Sequence, residues 1–311
     1  MTRHEELSPE LRERPFAVAE GYARAHSEKR MRGGDLARPF HGVRSVDDPA
    51  SNVSSLCRAY VPRMTPGQAF SHSTAAHLWG MPLPYRVQAQ PTIHVSTFDD
   101  RNRPRLRGVR GHQLSDPALR LVVRDGLRVL DVGTVWLQLA MALTVDELVA
   151  VADYIVLTPR KQTGDDVRPY LSLDRLGDRV RRYRGRGRRN ALMALELARD
   201  GSESPRETAL RLALGRHRLP EPALNLEILN EHGFRIGYGD LVYPEFRVVV
   251  EYEGEQHRTD SKQFFADIER HEALVRAGWI HLRETKETPA SGPRSTPWRT
   301  GFALHSRGWR S

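Results

Sequence analysis

The pattern of apolar and polar residues is most regular in the C-terminal third of the chain. Residues 204–207 combine a serine with proline at the next position and a glutamate three residues on, and apolar residues follow at helical spacing. This pattern predicts a helix that begins at Pro205. Glu207 has two available roles, because it can close the capping box on Ser204 or face acidic residues farther along the chain.

Alternating apolar and polar residues then predict a sheet built around a helix. The predicted elements are strands over 224–228, 234–238 and 246–253, a helix from Thr259 or Asp260 to Ala277, and a strand over 279–283. Pro244 and Glu245 form a turn before the third strand. The order is helix, three-stranded meander, helix, strand, with an irregular tail from about residue 285.

Residues 56–157 predict a separate α/β unit. A helix over 71–80 ends at Gly80, a strand spans 92–96, and two helices cover 129–143 and 144–157. His72 and His77 are the metal-binding candidates in this unit. A spacing of five residues does not place them on one helix face, and no third ligand is near in the sequence, so a structural role is favoured. Asp153, among apolar neighbours, is predicted to be a satisfied buried carboxylate.

Residues 9–46 predict a small helical unit that ends in a hairpin. A first helix starts near Pro15, Ser27 caps a second, basic helix, and short strands follow over 36–45. Helix, turn, basic helix and wing is the order of a winged helix-turn-helix, whose second helix would enter the DNA major groove. A plain helical docking module fits the same pattern.

The charge is distributed unevenly along the chain. The 311 residues include 48 Lys and Arg against 39 Asp and Glu, and residues 201–311 hold 16 of each sign, so the net +9 lies on residues 1–200. A basic front half joined to a neutral half that bears carboxylates favours a polyanion binder coupled to a cation site. An arginine-rich solvated surface explains the same excess.

Basic clusters identify the nucleic-acid contacts that the sequence predicts. Residues 179–189 carry seven arginines in eleven residues, enough to neutralise several phosphates, although one solvated helix face is the alternative. The predicted DNA-binding residues are Lys29, Arg30, Arg32, Arg44, Arg101, Arg103, Arg105, Arg107, Arg179, Arg181, Arg182, Arg184, Arg186, Arg188 and Arg189.

The cysteine count and the apolar segments indicate the cellular compartment of the protein. Cys57 is the single cysteine, which excludes an internal disulfide and a cysteine-rich zinc site. The N-terminus lacks the apolar core of a signal peptide, and the run over 129–143 is too short to span a bilayer. These features predict a cytoplasmic protein without membrane association.

The acidic residues of the predicted hairpin are the candidate chemical site. Glu251 and Glu253 fall on one face of an otherwise apolar strand, and Asp240 ends the preceding strand. Desolvating unpaired carboxylates costs several kcal/mol, roughly, unless a cation compensates. A hard divalent ion with oxygen ligands is the usual partner. Solvated charges that protect an edge strand are the alternative.

These residues resemble a known superfamily. A helix with Glu207, then Asp240, Glu251-x-Glu253 and a further helix is similar to the PD-(D/E)XK restriction-endonuclease-like superfamily. Gln256-His257, Asp267-x-x-Arg270 and Gly278-Trp279-x-x-x-Arg283 narrow the resemblance to its DUF559 branch, related to the very-short-patch mismatch-repair endonuclease. The resemblance covers roughly residues 202–285. It implies an α/β/α nuclease-like domain over 201–311.

The front of the chain resembles a second family. The stretch over 71–84, a winged-helix start near Pro15-Phe16 and the wing Phe40-His-Gly-Val43 are similar to the AbiEi antitoxins of type IV toxin–antitoxin systems. This resemblance implies DNA binding, transcriptional control and a toxin or defence partner of unknown identity. The whole chain is therefore expected to be α+β, with a winged helix over 1–48, an antitoxin-like α/β domain over 49–200 and the nuclease-like domain.

The resemblance and the carboxylates together predict Mg²⁺-dependent or Mn²⁺-dependent endonuclease activity on DNA. Asp240, Glu251 and Glu253 are the predicted metal ligands, and the catalytic set adds Glu207, Gln256 and His257. The superfamily expects lysine at the position of Glu253, so His257, Gln256 or Lys262 would have to orient the water. Asp267 and Arg270 are predicted to form an intrahelical pair. The alternative is a DNA-binding regulator with an inactive nuclease fold.

Overall fold

The computed structural model describes residues 5–49, 52–89, 92–114, 119–162, 164, 167–253 and 261–285. These residues form helices and mixed β-sheets, which confirms an α+β protein. The chain divides into two compact units. The N-terminal unit comprises residues 1–144 and 178–191, and the C-terminal unit comprises residues 145–177 and 192–311.

These units do not coincide with the three predicted domains. Residues 145–177 fall in the C-terminal unit, although the predicted boundary lies at 200. The physical reason is a buried contact: Asp153 binds Thr208 and Arg211 at 2.8 and 2.9 Å. The helix predicted over 144–157, which the sequence assigns to the central domain, therefore belongs to the core of the C-terminal unit.

Short elements open the N-terminal unit. They are α1 (Pro9–Arg12), β1 (Phe16–Ala17), α2 (Val18–Ala23), α3 (Glu28–Met31) and β2 (Val43–Arg44). Ser27 caps α3 as expected, since its Oγ accepts a hydrogen bond from the Arg30 backbone N–H. Phe16 lies in a strand paired with Arg44 rather than in the first helix, because its fully buried side chain packs against Leu11 and Met31.

A six-stranded sheet forms the centre of the N-terminal unit. Its strands are β3 (Gln68–Phe70), β4 (Ile93–Thr97), β5 (Arg105–Leu106), β6 (Val109–Gln113), β7 (Leu121–Arg124) and β8 (Leu127–Leu130), in the order β5-β6-β4-β3-β8-β7. The helices of this part are α4 (Val53–Tyr60), α5 (His72–Leu78), α6 (Tyr85–Gln88) and α7 (Val132–Leu139). Strands β4 and β6 run parallel, with Ser96 opposite His112.

Close backbone approach shapes the edge of this sheet. A Cβ added to Gly111 on β6 would lie 2.3 Å from the Pro104 carbonyl oxygen. The β5–β6 hairpin can therefore form only because residue 111 has no side chain. On the inner side, Phe70, Ile93, Val95 and Val129 belong to the buried core.

The C-terminal unit contains the elements that the sequence predicts best. Its helices are α8 (Val145–Val156), α11 (Pro205–Arg216) and α12 (Ser261–Arg276); α9 (Leu173–Arg182) and α10 (Arg188–Leu197) contain the division between the units. Its strands are β9 (Ala223–Leu229), β10 (Arg235–Tyr243), β11 (Val248–Glu253) and β12 (Ile280–Thr285). The predicted order of helix, three-stranded meander, helix and strand is confirmed.

The C-terminal sheet has the order β12-β11-β10-β9. Strands β9, β10 and β11 pair antiparallel, and β12 returns parallel to β11 after α12. Leu241 and Val250 pack with Leu214 of α11, whereas Val242 and Val249 pack with Leu274 of α12. The alternation predicted for these strands therefore places one set of side chains against α11 and the other set against α12.

No helix in the described ranges is long and apolar enough to cross a membrane. Three predicted catalytic groups fall outside the described part of the structure: the side chain of Glu253, and residues Gln256 and His257. Lys262 belongs to α12, but its side chain is likewise not described, and the predicted tail from about residue 286 lies outside the described residues.

Candidate functional site

Asp240 and Glu251 are neighbours across the two central strands of the C-terminal sheet. The antiparallel register pairs Leu241 with Val250, and its continuation by one residue sets Asp240 opposite Glu251. The backbone N–H of Tyr252 donates to Oδ2 of Asp240 over 3.2 Å. Strand pairing thus brings together two acids that are eleven positions apart in the sequence.

Glu251 is held by the guanidinium of Arg270 and the imidazole of His281. Nη1 of Arg270 donates to its Oε2 over 2.8 Å, Nη2 of Arg270 donates to Oε1, and Nε2 of His281 lies 2.7 Å from Oε2. Burial opposes ionisation of this carboxyl, but the hydrogen bonds and charges of Arg270 and His281 lower its pKa to about 2. Glu251 is therefore ionised at neutral pH.

Arg270 connects three elements of the unit. From α12 it reaches Glu251 on β11, and its Nη2 also donates to the Tyr238 carbonyl on β10. A Cβ at Gly237 would lie 2.7 Å from Nε of Arg270, so the glycine leaves the space that the guanidinium occupies. The predicted Asp267–Arg270 pair is thus corrected: the described hydrogen bonds of Arg270 go to the sheet, and Asp267 contributes only its nearby charge.

Asp240 has the opposite electrostatic environment. Burial and the charges of Glu207 and Glu251 raise its pKa to about 7, against lowering contributions from the Tyr252 N–H and from Arg270. Within the described residues, the Tyr252 N–H is the only hydrogen-bond donor to its carboxylate. The site therefore has more negative charge than its own cations neutralise.

Glu207 lies at the start of α11 and serves both the helix end and the acidic site. Its backbone N–H donates to Oγ of Ser204, which confirms the predicted cap. Its carboxylate accepts from the backbone N–H of Glu203 at 2.8 Å and from Nδ2 of Asn225 at 3.2 Å. Burial raises the pKa of Glu207, and its charge in turn raises that of Asp240.

The carboxylates of Asp240, Glu251 and Glu207 are electrostatically coupled but do not form a closed ligand cage. Among described side chains, these three do not make a group whose candidate ligand atoms all lie within 4.8 Å of one another. Oxygen donors of this kind suit a hard divalent cation such as Mg²⁺. The uncompensated charge around Asp240 fits such an ion, whereas Glu251 would have to exchange a bond to Arg270 or His281.

A cleft of about 450 Å³ is present in the same unit. Its lining includes Arg160, Lys161, Arg168, Glu203 and Tyr238. The guanidinium of Arg160 stacks on the Tyr238 ring at 4.5 Å and binds Glu203. The hydrogen bond to Glu203 is the main cause of the raised pKa of Arg160, and the nearby charge of Asp240 adds to it. A basic cleft therefore lies beside Asp240, which is an interior residue of β10 rather than the end of a strand. Arg160, Lys161 and Arg168 are not among the DNA-binding residues predicted from the sequence.

The structure separates the predicted DNA-binding residues by their partners. Arg30 is only 5 % exposed and binds Asp35, so it is corrected to a structural ion pair. The half-buried Arg44 donates to the carbonyls of Met31 and Val43. Ion pairs also hold Arg32, Arg101, Arg103, Arg179 and Arg181, to Glu28, Asp99, Asp100, Asp131 and Asp178 respectively.

The remaining predicted contacts present charge at the surface. Exposed members are Lys29, Arg105, Arg107, Arg182, Arg184, Arg186 and Arg189, and Arg188 is half-buried. Arg182 also lies 4.0 Å from the carboxylate of Asp178. Arg181 and Arg182 belong to α9, and Arg188 and Arg189 begin α10. The arginine run is therefore two helix ends joined by a short loop, and Tyr183 crosses that loop by donating to the Arg186 carbonyl at 2.9 Å.

The structure places His72 beside two histidines that are distant from it in the sequence. The structure brings His72 together with His94 and His112, whose candidate ligand nitrogens all lie within 4.8 Å of one another, and leaves His77 exposed. Burial, with neighbouring histidine charges and Arg110, lowers the pKa of His72 to about 3 and that of His94 to about 4. The predicted strand over 92–96 already contains His94, but the pairing of this strand with β6, which brings His112 beside it, has no local signal in the sequence.

Comparison with protein-family models, curated proteins and solved structures finds no significant match to this chain.

Proposed function

We propose that the chain is a metal-dependent DNA endonuclease whose site lies in the C-terminal unit. The observation that carries the proposal is the placement of Asp240 and Glu251 opposite each other on the central strands, with Glu207 on the preceding helix. The surrounding order of helix, three antiparallel strands, crossover helix and parallel strand agrees with the fold that the PD-(D/E)XK resemblance implies.

Asp240 and Glu251 would hold Mg²⁺ or Mn²⁺, joined by Glu253 or by the backbone carbonyl of Tyr252. A bound divalent ion supplies the polarisation of a phosphoryl oxygen and lowers the pKa of its water, which hydrolysis near neutral pH needs. The raised pKa of Asp240 supports this placement, because it reflects negative charge and burial that no cation compensates. A divalent ion bound there would lower that pKa.

The protein's own groups perform the remaining tasks. Glu207 places a further acceptor beside Asp240, where it can hold a water through a hydrogen bond. Arg270 keeps Glu251 ionised and fixes its orientation from α12. It also supplies positive charge next to the site, which the superfamily obtains from a lysine where this chain has Glu253.

DNA would be held by its phosphates rather than by base contacts. The cleft with Arg160, Lys161 and Arg168 supplies cations in the unit that carries the carboxylates. The exposed arginines of 182–189 and a winged-helix role for α2, α3 and the β1–β2 pair would add duplex contacts in the N-terminal unit.

A supercoiled plasmid assay tests the nuclease proposal. Full-length protein should nick the plasmid with Mg²⁺ or Mn²⁺ and not with EDTA, and Asp240→Asn or Glu251→Gln should reduce the rate at least a hundredfold. Glu245→Gln is the matched control, because Glu245 is an exposed acid in the turn between the same two strands. Nicking that persists unchanged in both site variants would eliminate this site.

A DNA-binding regulator with an inactive nuclease fold is the second candidate. The contacts of Glu251 favour it, because both carboxylate oxygens are already bonded by Arg270 and one also by His281. This candidate predicts salt-sensitive duplex binding without cleavage under any divalent cation. Binding unchanged by Asp240→Asn, together with no nicking by the wild type, would decide in its favour.

A further inference from the structure

A cluster of three histidines lies in the N-terminal unit, away from the carboxylates in sequence and in fold element. His94 is on β4, His112 is on β6, and His72 is the first residue of α5. Their candidate ligand nitrogens all lie within 4.8 Å of one another. We propose that His72, His94 and His112 bind one Zn²⁺ ion or a similar borderline transition metal, with a fourth coordination position left to water.

The strand register places two of the ligands on one face. Strands β4 and β6 are parallel, with Ser96 opposite His112, and His94 precedes Ser96 by two residues. Side chains two positions apart on a strand share a face, so His94 and His112 point to the same side of the sheet. Nδ1 of His94 and Nε2 of His112 lie 3.0 Å apart.

This spacing suits tetrahedral coordination. Two nitrogens bonded to Zn²⁺ at about 2.0–2.1 Å in a tetrahedral site lie about 3.3 Å apart. Without an ion, one proton shared between His94 and His112 satisfies this contact. Binding of Zn²⁺ would require that proton to move to the other nitrogen of its own ring, so that both imidazoles stay neutral and two coordinate bonds replace one hydrogen bond.

His72 reaches the pair from a strained backbone. Its φ is +50°, in the left-handed region that non-glycine residues rarely adopt. The conformation is held from both sides: the His72 N–H donates to Oε1 of Gln138 at 2.9 Å, and the Ser71 N–H donates to the His94 carbonyl at 3.1 Å. Strain of this kind persists where the surrounding structure enforces it, as at binding sites.

The neighbouring groups select the ligand atom of His72. Its Nδ1 lies 3.1 Å from Oγ of Ser71, a contact that leaves Nε2 for the metal. The ring stacks on that of His112 with 3.9 Å between centroids, so both imidazoles are already oriented together. Thr74 adds a further restraint by accepting the His94 N–H at 2.8 Å.

An unsatisfied polar group lies beside the cluster. Oγ of Ser96 is buried and, among the described residues, has no hydrogen-bond partner. Ser96 shares the sheet face of His94 and is the register partner of His112. A water in the fourth coordination position would supply the partner that this hydroxyl lacks.

The donor set distinguishes this site from the proposed nuclease site. Neutral imidazoles prefer Zn²⁺ and its neighbours in the transition series, whereas carboxylates prefer Mg²⁺ or Mn²⁺. The proposal does not rest on the nuclease function, and loss of plasmid nicking would leave it untouched.

Calorimetric titration of full-length, tag-free, EDTA-treated protein with Zn²⁺ tests the proposal. One ion should bind per chain, and Co²⁺ should give the visible absorption of a tetrahedral site. His72→Asn is the principal variant, because asparagine tolerates the left-handed backbone while removing the imidazole. It should weaken Zn²⁺ binding at least tenfold, as should His112→Gln.

Two control variants make the result specific. His77→Gln removes an exposed histidine from the same helix and should leave Zn²⁺ affinity unchanged. His271→Gln removes the partner of His281 in the C-terminal unit and should do likewise. The apo variants should unfold at the same temperature as the apo wild type, and Zn²⁺ should raise the midpoint of wild type but not of His72→Asn. Absence of Zn²⁺ binding by the wild type, or equal affinity in His72→Asn and His112→Gln, overturns the proposal.

Discussion

Arg270 of α12 and Glu251 of β11 form a two-point ion pair, with a separation of 2.8 Å between Nη1 and Oε2. Arg270 keeps Glu251 ionised, whereas burial and the charges of Glu207 and Glu251 favour the protonated form of Asp240. Glu251 has a pKa lowered to about 2, whereas Asp240 on the adjacent strand has a pKa raised to about 7. Pairs of carboxyls separated in this way are typical of sites where one group is charged and the other exchanges a proton or takes a cation.

Removal of Arg270 should destabilise the C-terminal unit. Arg270→Met leaves the carboxylate of Glu251 buried with one partner fewer, and we expect a loss of about 2–3 kcal/mol in urea unfolding. Arg276→Met is the matched control, since Arg276 is exposed in the last turn of the same helix. The double variant Arg270→Met with Glu251→Gln should recover part of the loss. An unchanged unfolding midpoint in the single variant would contradict the structural role of this pair.

The pKa of Asp240 predicts a pH-dependent stability. Its folded-state pKa of about 7 lies above the ordinary value of 3.8, so the folded protein holds the proton more tightly than the unfolded chain. This contribution to stability is complete below about pH 4 and is lost as the pH rises to about 7. Asp240→Asn should therefore raise the thermal midpoint relative to the wild type at pH 8 by a few degrees.

The same comparison at acid pH is the internal control. The midpoints of wild type and Asp240→Asn should converge towards pH 4. The difference between wild type and Glu245→Gln should not depend on pH in this way, because Glu245 is exposed. Thermal melts followed by circular dichroism at pH 4, 6 and 8 provide the measurement. A constant difference at all three pH values would refute the proposed titration.

Among the described ion pairs of the C-terminal unit, the pair between Asp153 of α8 and Arg211 of α11 should contribute most to stability. Their side chains are 1 % and 2 % exposed, 2.9 Å apart, and Asp153 also accepts from the Arg199 N–H. Asp153→Ala leaves a buried guanidinium without this partner and should cost about 3–5 kcal/mol. Asp146→Ala on the same helix breaks the exposed pair with Arg216 and should cost less than about 1 kcal/mol. Similar losses in urea unfolding would show that burial does not set the strength of these pairs.

The exposed arginines between α9 and α10 should determine the salt dependence of DNA binding. Replacing Arg184, Arg186 and Arg189 by Gln should reduce the slope of log K against log salt by about 2–3, since each phosphate contact contributes about 0.9. Control replacement of Arg32, Arg101 and Arg103, which already pair with carboxylates, should change the slope by less than about 1. Fluorescence anisotropy with a duplex across a salt series measures both. Equal slopes in the two triple variants would exclude the arginine run as the main contact.

Local sequence signals predicted the C-terminal elements well. Ser204 and Pro205 define the start of α11, strand alternation separates the two faces of β10 and β11, and Gly278, with φ of +78°, follows the end of α12. Each of these signals acts between residues a few positions apart. The N-terminal prediction was less complete, because Phe16 pairs with a strand almost thirty residues away and joins a core that its neighbours in sequence do not reveal.

The sequence by itself determined the order of elements and the acidic character of the strands that hold Asp240 and Glu251. The tertiary structure decided which charges those acids meet, because Arg270 and His281 reach Glu251 through helix packing and strand register. It also decided that His72 lies with two distant histidines rather than with His77. Contacts between separate elements depend on how the elements pack, and no spacing within the chain encodes that geometry directly.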